Sequence, residues 1–296
     1  MTKPLDDERI RMSYVNPNSL VSTDWLAEHA KAPDVRIVDA SWYMPAANRN
    51  PRAEYDAAHI PGAVFFDIDE IADTDNSLPH MVPSPEKFSS RMRKLGLGDG
   101  NRIVIYDGSG LVSAARAWWL IRLFGHEDVA ILDGGLPKWK AEGRPLEDLP
   151  VKLAERHFTS RINSFMLREK DQVLRNIDSN REQVLDARSA GRFTGSEAEP
   201  REGLRGGHIP NSHNLPFTEL LNEGDSTVRT AEELSAAFTE AGIELKQPVI
   251  TSCGSGITAC VLAFGLHLLG HRRVAVFDGS WTEWGLDETT PVETGQ

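Results

Sequence analysis

Short apolar runs alternate along the chain with longer stretches in which apolar residues recur at helical spacing. Because strands buried on both faces read as short continuous apolar runs, six segments are predicted to be strands: 35–39, 103–106, 129–132, 183–186, 248–251 and 274–277. Four longer periodic segments are predicted to be helices: 85–95, 113–124, 230–241 and 258–269. This alternation predicts an α/β fold in which mainly parallel sheets are covered by helices on both faces.

The same order of elements and motifs occurs twice. Asp107 and Cys253 occupy equivalent places 146 positions apart, and Ile-Leu-Asp-Gly-Gly at 131–135 matches Val-Phe-Asp-Gly-Ser at 276–280. His-Ile-Pro at 59–61 likewise matches His-Ile-Pro at 208–210. Repetition at this period indicates two copies of one domain. We expect domains at 16–145 and 161–292, joined by a polar, proline-containing linker at 146–160.

Composition narrows the class of protein. The 296 residues carry a net charge of −12, which disfavours nucleic acid as a partner. Two cysteines provide no disulfide framework and suit a reducing compartment. The first 13 residues show no signal-peptide pattern, and no apolar run reaches the roughly 18 residues of a membrane span. A cytoplasmic enzyme that binds no membrane is therefore expected.

Cys253 is the strongest candidate for chemistry. It follows a predicted strand and precedes a predicted helix, so its sulfur should face backbone N–H groups and the positive end of a helix dipole. Both features stabilise a thiolate, and the glycines on either side of Ser255 let the loop fold around the sulfur. The second cysteine, Cys260, lies in the apolar helix and is predicted to be a core residue.

Two kinds of cysteine loop need to be separated. A cysteine phosphatase needs an arginine six positions after the cysteine, where this chain has Ala259. The alternative is a loop that holds a persulfide through its N–H groups. The run Cys-Gly-Ser-Gly-Ile-Thr-Ala at 253–259 resembles the active-site loop of the rhodanese superfamily, and the tandem arrangement resembles its two-domain members. The neutral Gly-Ser-Gly sequence is similar to that of 3-mercaptopyruvate sulfurtransferases, whereas thiosulfate sulfurtransferases typically carry basic residues there.

The resemblance implies a reaction. Sulfur would pass from 3-mercaptopyruvate to Cys253 as a persulfide, releasing pyruvate, and then to a thiol, a thioredoxin-like protein or cyanide, with no metal or cofactor. The first copy has Asp107 at the equivalent position, which cannot carry sulfur. The residues expected to hold the anionic sulfur through backbone N–H groups are Gly254, Ser255, Gly256, Ile257 and Thr258.

Arginines in the loop after the strand at 183–186 are candidates for binding the donor. A loop arginine is commonly a solvated charge. However, Gly-Arg-Phe at 191–193 and Pro-Arg at 200–201 match family elements, and the resemblance implies that Arg192 and Arg201 bind the carboxylate and carbonyl of the donor. Arg188 is predicted to be structural and paired with Asp186.

The resemblance also implies a Ser-His-Asp set that handles protons. Ser255 and His59 are placed in it, although His59 has a repeat-related equivalent in His208, which favours a structural role equally well. The third position is assigned to Asn50, whose amide orients an imidazole without stabilising its charged form as a carboxylate does.

Two other functions remain open on sequence. One is a thiosulfate sulfurtransferase, which the uncharged Ser255 disfavours. The other is a carrier module that passes persulfide sulfur to a protein partner with little turnover of small donors.

Overall fold

The computed structural model describes residues 13–295, which contain two five-stranded parallel sheets. The first has the order β1-β5-β4-β2-β3 and the second the order β6-β10-β9-β7-β8, so the two sheets have the same topology. The strands of the first sheet are β1 Leu20–Val21, β2 Val35–Asp39, β3 Ala63–Phe65, β4 Arg102–Tyr106 and β5 Val129–Leu132. Those of the second are β6 Leu167–Arg168, β7 Gln183–Asp186, β8 Ser212–Asn214, β9 Val249–Ser252 and β10 Val274–Phe277.

Helices flank both sheets, which confirms the predicted α/β fold. They are α1 Thr23–His29, α2 Pro51–Ala57, α3 Ile68–Ile71, α4 Pro85–Lys94, α5 Ser113–Leu123, α6 Gly135–Ala141, α7 Lys170–Ser179, α8 Ala190–Thr194, α9 Ala231–Glu240, α10 Ala259–Leu268 and α11 Ser280–Leu286. The six predicted strands and four predicted helices are present, with ends within one residue. The edge strands β1, β3, β6 and β8 were not predicted, because two or three residues are too few to show a period.

The two domains share one apolar core. Helix α5 of the first domain packs against α10 of the second, and the rings of Trp118 and Phe264 meet edge to face at 4.9 Å between centroids. The largest buried cluster contains residues from both domains, including Ile105 and Leu262, each with no exposed surface. Because the contact is apolar and continuous, we expect the two domains to hold a fixed relative position.

Each domain extends an arm onto the other, and the two arms are related by the repeat. The first arm (residues 74–83) brings the N–H of Val82 within 2.7 Å of an Asp278 carboxylate oxygen. The second arm (residues 220–229) brings the N–H of Val228 within 2.8 Å of Asp133 in the same way. The first arm therefore places first-domain residues beside a loop of the second domain, and the second arm places second-domain residues beside a loop of the first.

Candidate active site

Cys253 lies between β9 and α10 at the base of a cavity between the two domains. Its side chain is 1 % exposed, and its backbone N–H donates to Ser280 Oγ at 3.2 Å. The same Ser280 hydroxyl lies 4.0 Å from Cys253 Sγ. The cavity has a volume of about 610 Å³ and also receives Trp42 and Tyr43 from the first domain. A buried thiol thus faces a cavity large enough for a small molecule.

The loop after Cys253 presents unoccupied backbone donors. Within residues 13–295, the N–H groups of residues 254–258 donate to no protein acceptor. Gly256 has φ of +80°, and a Cβ there would lie 2.7 Å from the carbonyl oxygen of Asp278, so this turn requires glycine. Open N–H groups around a buried sulfur form a cradle suited to an anion.

Two arginines lie over this cradle. A Cβ built on Gly254 would be 3.0 Å from Arg192 Nη2 and 3.8 Å from Arg201 Nη1, which places both guanidinium groups against the loop. Arg201 donates to Ser255 Oγ at 3.3 Å, and burial lowers the pKa of its guanidinium. Both predicted donor-binding arginines therefore reach the cavity that contains Cys253.

Glu199 orients the arginines and was not predicted from sequence. Its side chain is 1 % exposed and accepts two hydrogen bonds from Arg192, at 3.1 and 2.6 Å. It also accepts from Arg188 at 2.7 Å, and Arg188 is paired in turn with Asp186 at 2.7 Å, as predicted. A glutamate in a charged loop gives no sequence signal that distinguishes it from solvated neighbours.

The histidine beside Ser255 is His80, from the tip of the first arm. His80 Nδ1 lies 3.1 Å from Ser255 Oγ, and His80 Nε2 lies 3.2 Å from Asp69 Oδ1. The indole N–H of Trp42 donates to the other oxygen of Asp69 at 3.0 Å. Burial favours a higher pKa for Asp69, but its bonds from His80 and Trp42 outweigh this effect and lower the pKa. Serine, histidine and carboxylate therefore form a continuous hydrogen-bonded row.

The prediction that His59 and Asn50 complete the site with Ser255 is wrong, because both side chains contact other groups. His59 stacks on Tyr55 with 4.1 Å between ring centroids, its Nδ1 lies 2.7 Å from the Tyr55 carbonyl, and its Nε2 faces Glu147 at 3.7 Å. Asn50 caps helix α2, where its side-chain oxygen accepts the N–H of Ala53 at 3.0 Å. Both residues thus stabilise local structure in the first domain.

The repeat contains the signal that would have avoided this error. His208 stacks on Phe193 in the second domain as His59 does on Tyr55, so these two histidines are structural partners of one motif. His80 instead corresponds to Ser226, 146 positions later. A histidine present in only one copy is the better candidate for a function performed once.

Cys260 lies beneath the loop, as predicted for a core residue. Its thiol donates to the carbonyl of Gly256 at 3.2 Å, and burial raises its pKa to about 12. It therefore remains protonated and supports the loop. Within the part of the chain that is described, no group of three His, Cys, Asp or Glu side chains is arranged to hold a metal ion. No helix among residues 13–295 combines the length and apolar character that a membrane crossing requires.

Comparison with known proteins gives consistent matches over both domains. The rhodanese-like domain model matches residues 22–142 and 169–287. The chain is 44 % identical to 3-mercaptopyruvate sulfurtransferase of Escherichia coli K12, over 92 % of this chain and 97 % of that protein. It is 43 % identical to the mitochondrial thiosulfate/3-mercaptopyruvate sulfurtransferase 1 of Arabidopsis thaliana, over 93 % of this chain and 78 % of that protein.

A solved structure gives the same result for the fold. The crystal structure of the 3-mercaptopyruvate sulfotransferase SseA from Escherichia coli superposes with a TM-score of 0.82 at 42 % identity. The match covers 89 % of this chain and 98 % of that one.

Proposed function

The chain belongs to the rhodanese family, and we propose that it is a 3-mercaptopyruvate sulfurtransferase in which Cys253 carries the sulfur. The observation that carries the proposal is the cradle of open N–H groups at residues 254–258, with Arg192 and Arg201 directly above it. A carboxylate-bearing donor bound by the arginines would have its sulfur directed toward Cys253. Guanidinium groups suit this task because they present paired donors to planar oxygen pairs.

The proposed first step conserves atoms and charge. The Cys253 thiolate attacks the donor's sulfur, an S–S bond forms, and the C–S bond breaks with its electron pair leaving on carbon. The resulting enolate takes up the proton that the donor thiol gives up and becomes pyruvate. The N–H groups of the loop stabilise the terminal sulfur anion that remains on Cys253.

Ser255 and His80 are the groups proposed to move this proton. His80 reaches Ser255 Oγ at 3.1 Å, and Ser255 lies in the same cradle as the sulfur. Asp69 orients His80 from the other side. This assignment replaces the one based on His59.

The proposed acceptor is a thiol, either a small molecule or a thioredoxin-like protein, with cyanide as an artificial substitute. Its thiolate attacks the terminal sulfur and regenerates Cys253. Thiosulfate remains the alternative donor, because the name of the Arabidopsis relative includes it. A persulfide carrier with little small-donor turnover would form the persulfide but complete few cycles.

Kinetics and intact mass together test the proposal. Initial rates with 3-mercaptopyruvate should exceed those with thiosulfate, and incubation with donor should add one sulfur to the protein. Replacing Arg192 or Arg201 with alanine removes hydrogen bonds to a charged group worth roughly 1.5–3 kcal/mol, or about 10- to 150-fold in kcat/KM for the donor. Unchanged donor kinetics in both variants, or a preference for thiosulfate, would contradict the proposed donor.

Two further features belong to the proposal. The domains are proposed to extend over 16–145 and 161–292 with a linker at 146–160, which limited proteolysis followed by mass analysis would test. A cytoplasmic location is supported by two free cysteines, although the Arabidopsis relative carries the word mitochondrial in its name. Cell fractionation distinguishes the two compartments.

A further inference from the structure

Arg116, on helix α5 of the first domain, is a fully buried cation at the contact between the domains. Its side chain has no exposed surface, and its guanidinium lies 4.7 Å from the ring centroid of Trp119. A buried charge is costly unless it is paired and hydrogen-bonded. Its partners therefore indicate why an arginine is present in this core.

The guanidinium of Arg116 joins three segments that meet at the active site. Nη2 donates to Asp278 Oδ1 at 2.7 Å and also to the carbonyl oxygen of His80. Nη1 donates to the carbonyl oxygen of Gly256 at 3.2 Å. One rigid group thus contacts the arm that carries His80 and the loop that carries Cys253, together with the end of β10.

Asp278 extends this network back to the first arm. Its second oxygen accepts the N–H of Val82, two residues after His80. The backbone of the first arm is therefore held on both sides of its tip, by Arg116 at His80 and by Asp278 at Val82. His80 itself has φ of 64°, a conformation that side-chain-bearing residues adopt only when their surroundings enforce it.

The repeat shows that this network serves one active site. The helices α5 and α10 begin 146 and end 145 positions apart, so the position equivalent to Arg116 is Leu262 or Val261, both of which are apolar and buried. Arg116 of the first domain thus supplies a cation to the Cys253 loop of the second domain. The equivalent position in the second domain is apolar and supplies no cation to the first. An equal need for structural support in both halves would not produce this difference.

We propose that Arg116 is a positioning residue for sulfur transfer. It hydrogen-bonds to the first arm and to the Cys253 loop at the same time, and so fixes the distance between His80 and Ser255. The inference rests on the proposed function and adds to it a role for a buried interdomain cation. A planar guanidinium can bind three acceptors in fixed directions, which an ammonium group does less well. Because displacements of about 1 Å can cost roughly 100-fold in rate, loss of this bridge should affect turnover strongly.

Two variants test the role. Arg116→Lys keeps the charge but cannot reproduce the three-way geometry. The double variant Arg116→Met with Asp278→Asn removes both charges, so no unpaired carboxylate is left in the core, while the amide oxygen can still accept from Val82. Arg122→Met is the matched control, because Arg122 lies on the same helix and contacts Trp118 and the Glu127 carbonyl instead of the loop.

The decisive measurement determines two quantities separately: the fraction of the protein that forms persulfide and the rate at which the persulfide forms. Each protein is mixed with 3-mercaptopyruvate, and persulfide on Cys253 is followed by quenching and intact mass. We expect complete persulfide formation in all proteins, with the rate lowered about 10-fold in Arg116→Lys and about 100-fold in the double variant. The donor KM should change by less than about 2-fold, because Arg192 and Arg201 are untouched.

The outcomes are distinguishable. A variant that forms less persulfide at the wild-type rate would show a merely structural role and overturn the inference, as would wild-type rates in both Arg116 variants. A fall of similar size in Arg122→Met would also overturn it. Absence of persulfide in the wild type would instead refute the proposed function.

Discussion

The loop after β4 and the loop after β9 have the same length and the same Gly-Ser-Gly sequence, but most of the N–H donors are occupied in the first and open in the second. In the first loop the carboxylate of Asp107 accepts the N–H groups of Ser109, Val112 and Ala114 at 2.7, 2.7 and 2.8 Å. In the second loop, Cys253 leaves the N–H groups of residues 254–258 without protein acceptors within residues 13–295. An aspartate therefore fills the cradle with its own oxygens, whereas a cysteine keeps it available for a further atom.

The arms show a matching difference. His80 at the tip of the first arm bonds Ser255 in the open loop. Its equivalent, Ser226, lies at the tip of the second arm, against Gly110 in the loop that Asp107 fills. His80 and Ser226 both have positive φ, 64° and 55°. The same turn thus brings an imidazole to one loop and a small covering residue to the other. Duplication supplied the geometry, and single side chains decided which half carries the chemistry.

The largest expected effect is the loss of the nucleophile. Cys253→Ser should lower sulfur transfer by at least about a thousand-fold, because a hydroxyl cannot form a persulfide, while the fold remains intact. Intact mass after incubation with donor should show added sulfur on the wild type only. A sulfur adduct of the same kind on Cys253→Ser would mean that another residue carries the sulfur.

The arms provide the second test. His80→Ala should lower kcat by about 100-fold, the lower end of the usual contribution of general acid–base catalysis. Ser226→Ala, at the equivalent tip, should leave kcat within about 2-fold, and His59→Ala should lower the melting temperature while the folded enzyme keeps its kcat. If His59→Ala and His80→Ala lost kcat equally, the distinction between structural and catalytic histidines would fail.

The loop after β4, which Asp107 fills, can be tested directly by substitution. Asp107→Cys combined with Cys253→Ser should acquire no sulfur from the donor, because the second arm covers the first loop, with Ser226 against Gly110. An added sulfur in this double variant would show that the first domain lost activity through one side chain alone. Donor incubation and intact mass decide between these results.

Asp107 should also matter for stability. Asp107→Ala leaves three N–H groups near the core without their acceptor, at roughly 1–3 kcal/mol for each donor that water cannot reach. Urea unfolding should show this loss, whereas kcat per folded molecule should stay close to wild type. Wild-type stability of Asp107→Ala would contradict the role of the carboxylate as an internal cap.

The smallest effect is expected at Cys260. Cys260→Ser keeps a donor for the Gly256 carbonyl and should retain kcat within about 2-fold. Because burial raises the pKa of this thiol from 9.0 to about 12, only the unfolded chain ionises it between these values. The free energy of unfolding should therefore fall more steeply above about pH 9 in wild type than in Cys260→Ser. Identical slopes in the two proteins would contradict this burial effect.

Local sequence patterns were enough to predict most secondary-structure elements and the half of the site that contains the cysteine loop. Apolar runs predicted the central strands, and glycines around Ser255 predicted the cysteine loop, because strand burial and loop turns leave marks within a few residues. Arg192 and Arg201 were identified through family motifs rather than through spacing. The two-residue strands β1 and β6 left no such marks.

The other half of the site depends on the contact between domains. His80 and Ser255 are 175 positions apart, and they meet because the first arm is held by Asp278 and Arg116 across the interface. Two copies of one α/β domain and a single cysteine loop could be predicted from the residues alone, since both follow from short-range pattern and repetition. The tertiary structure places His80 beside the loop of that cysteine, because only packing of one domain on the other sets distances between residues so far apart along the chain.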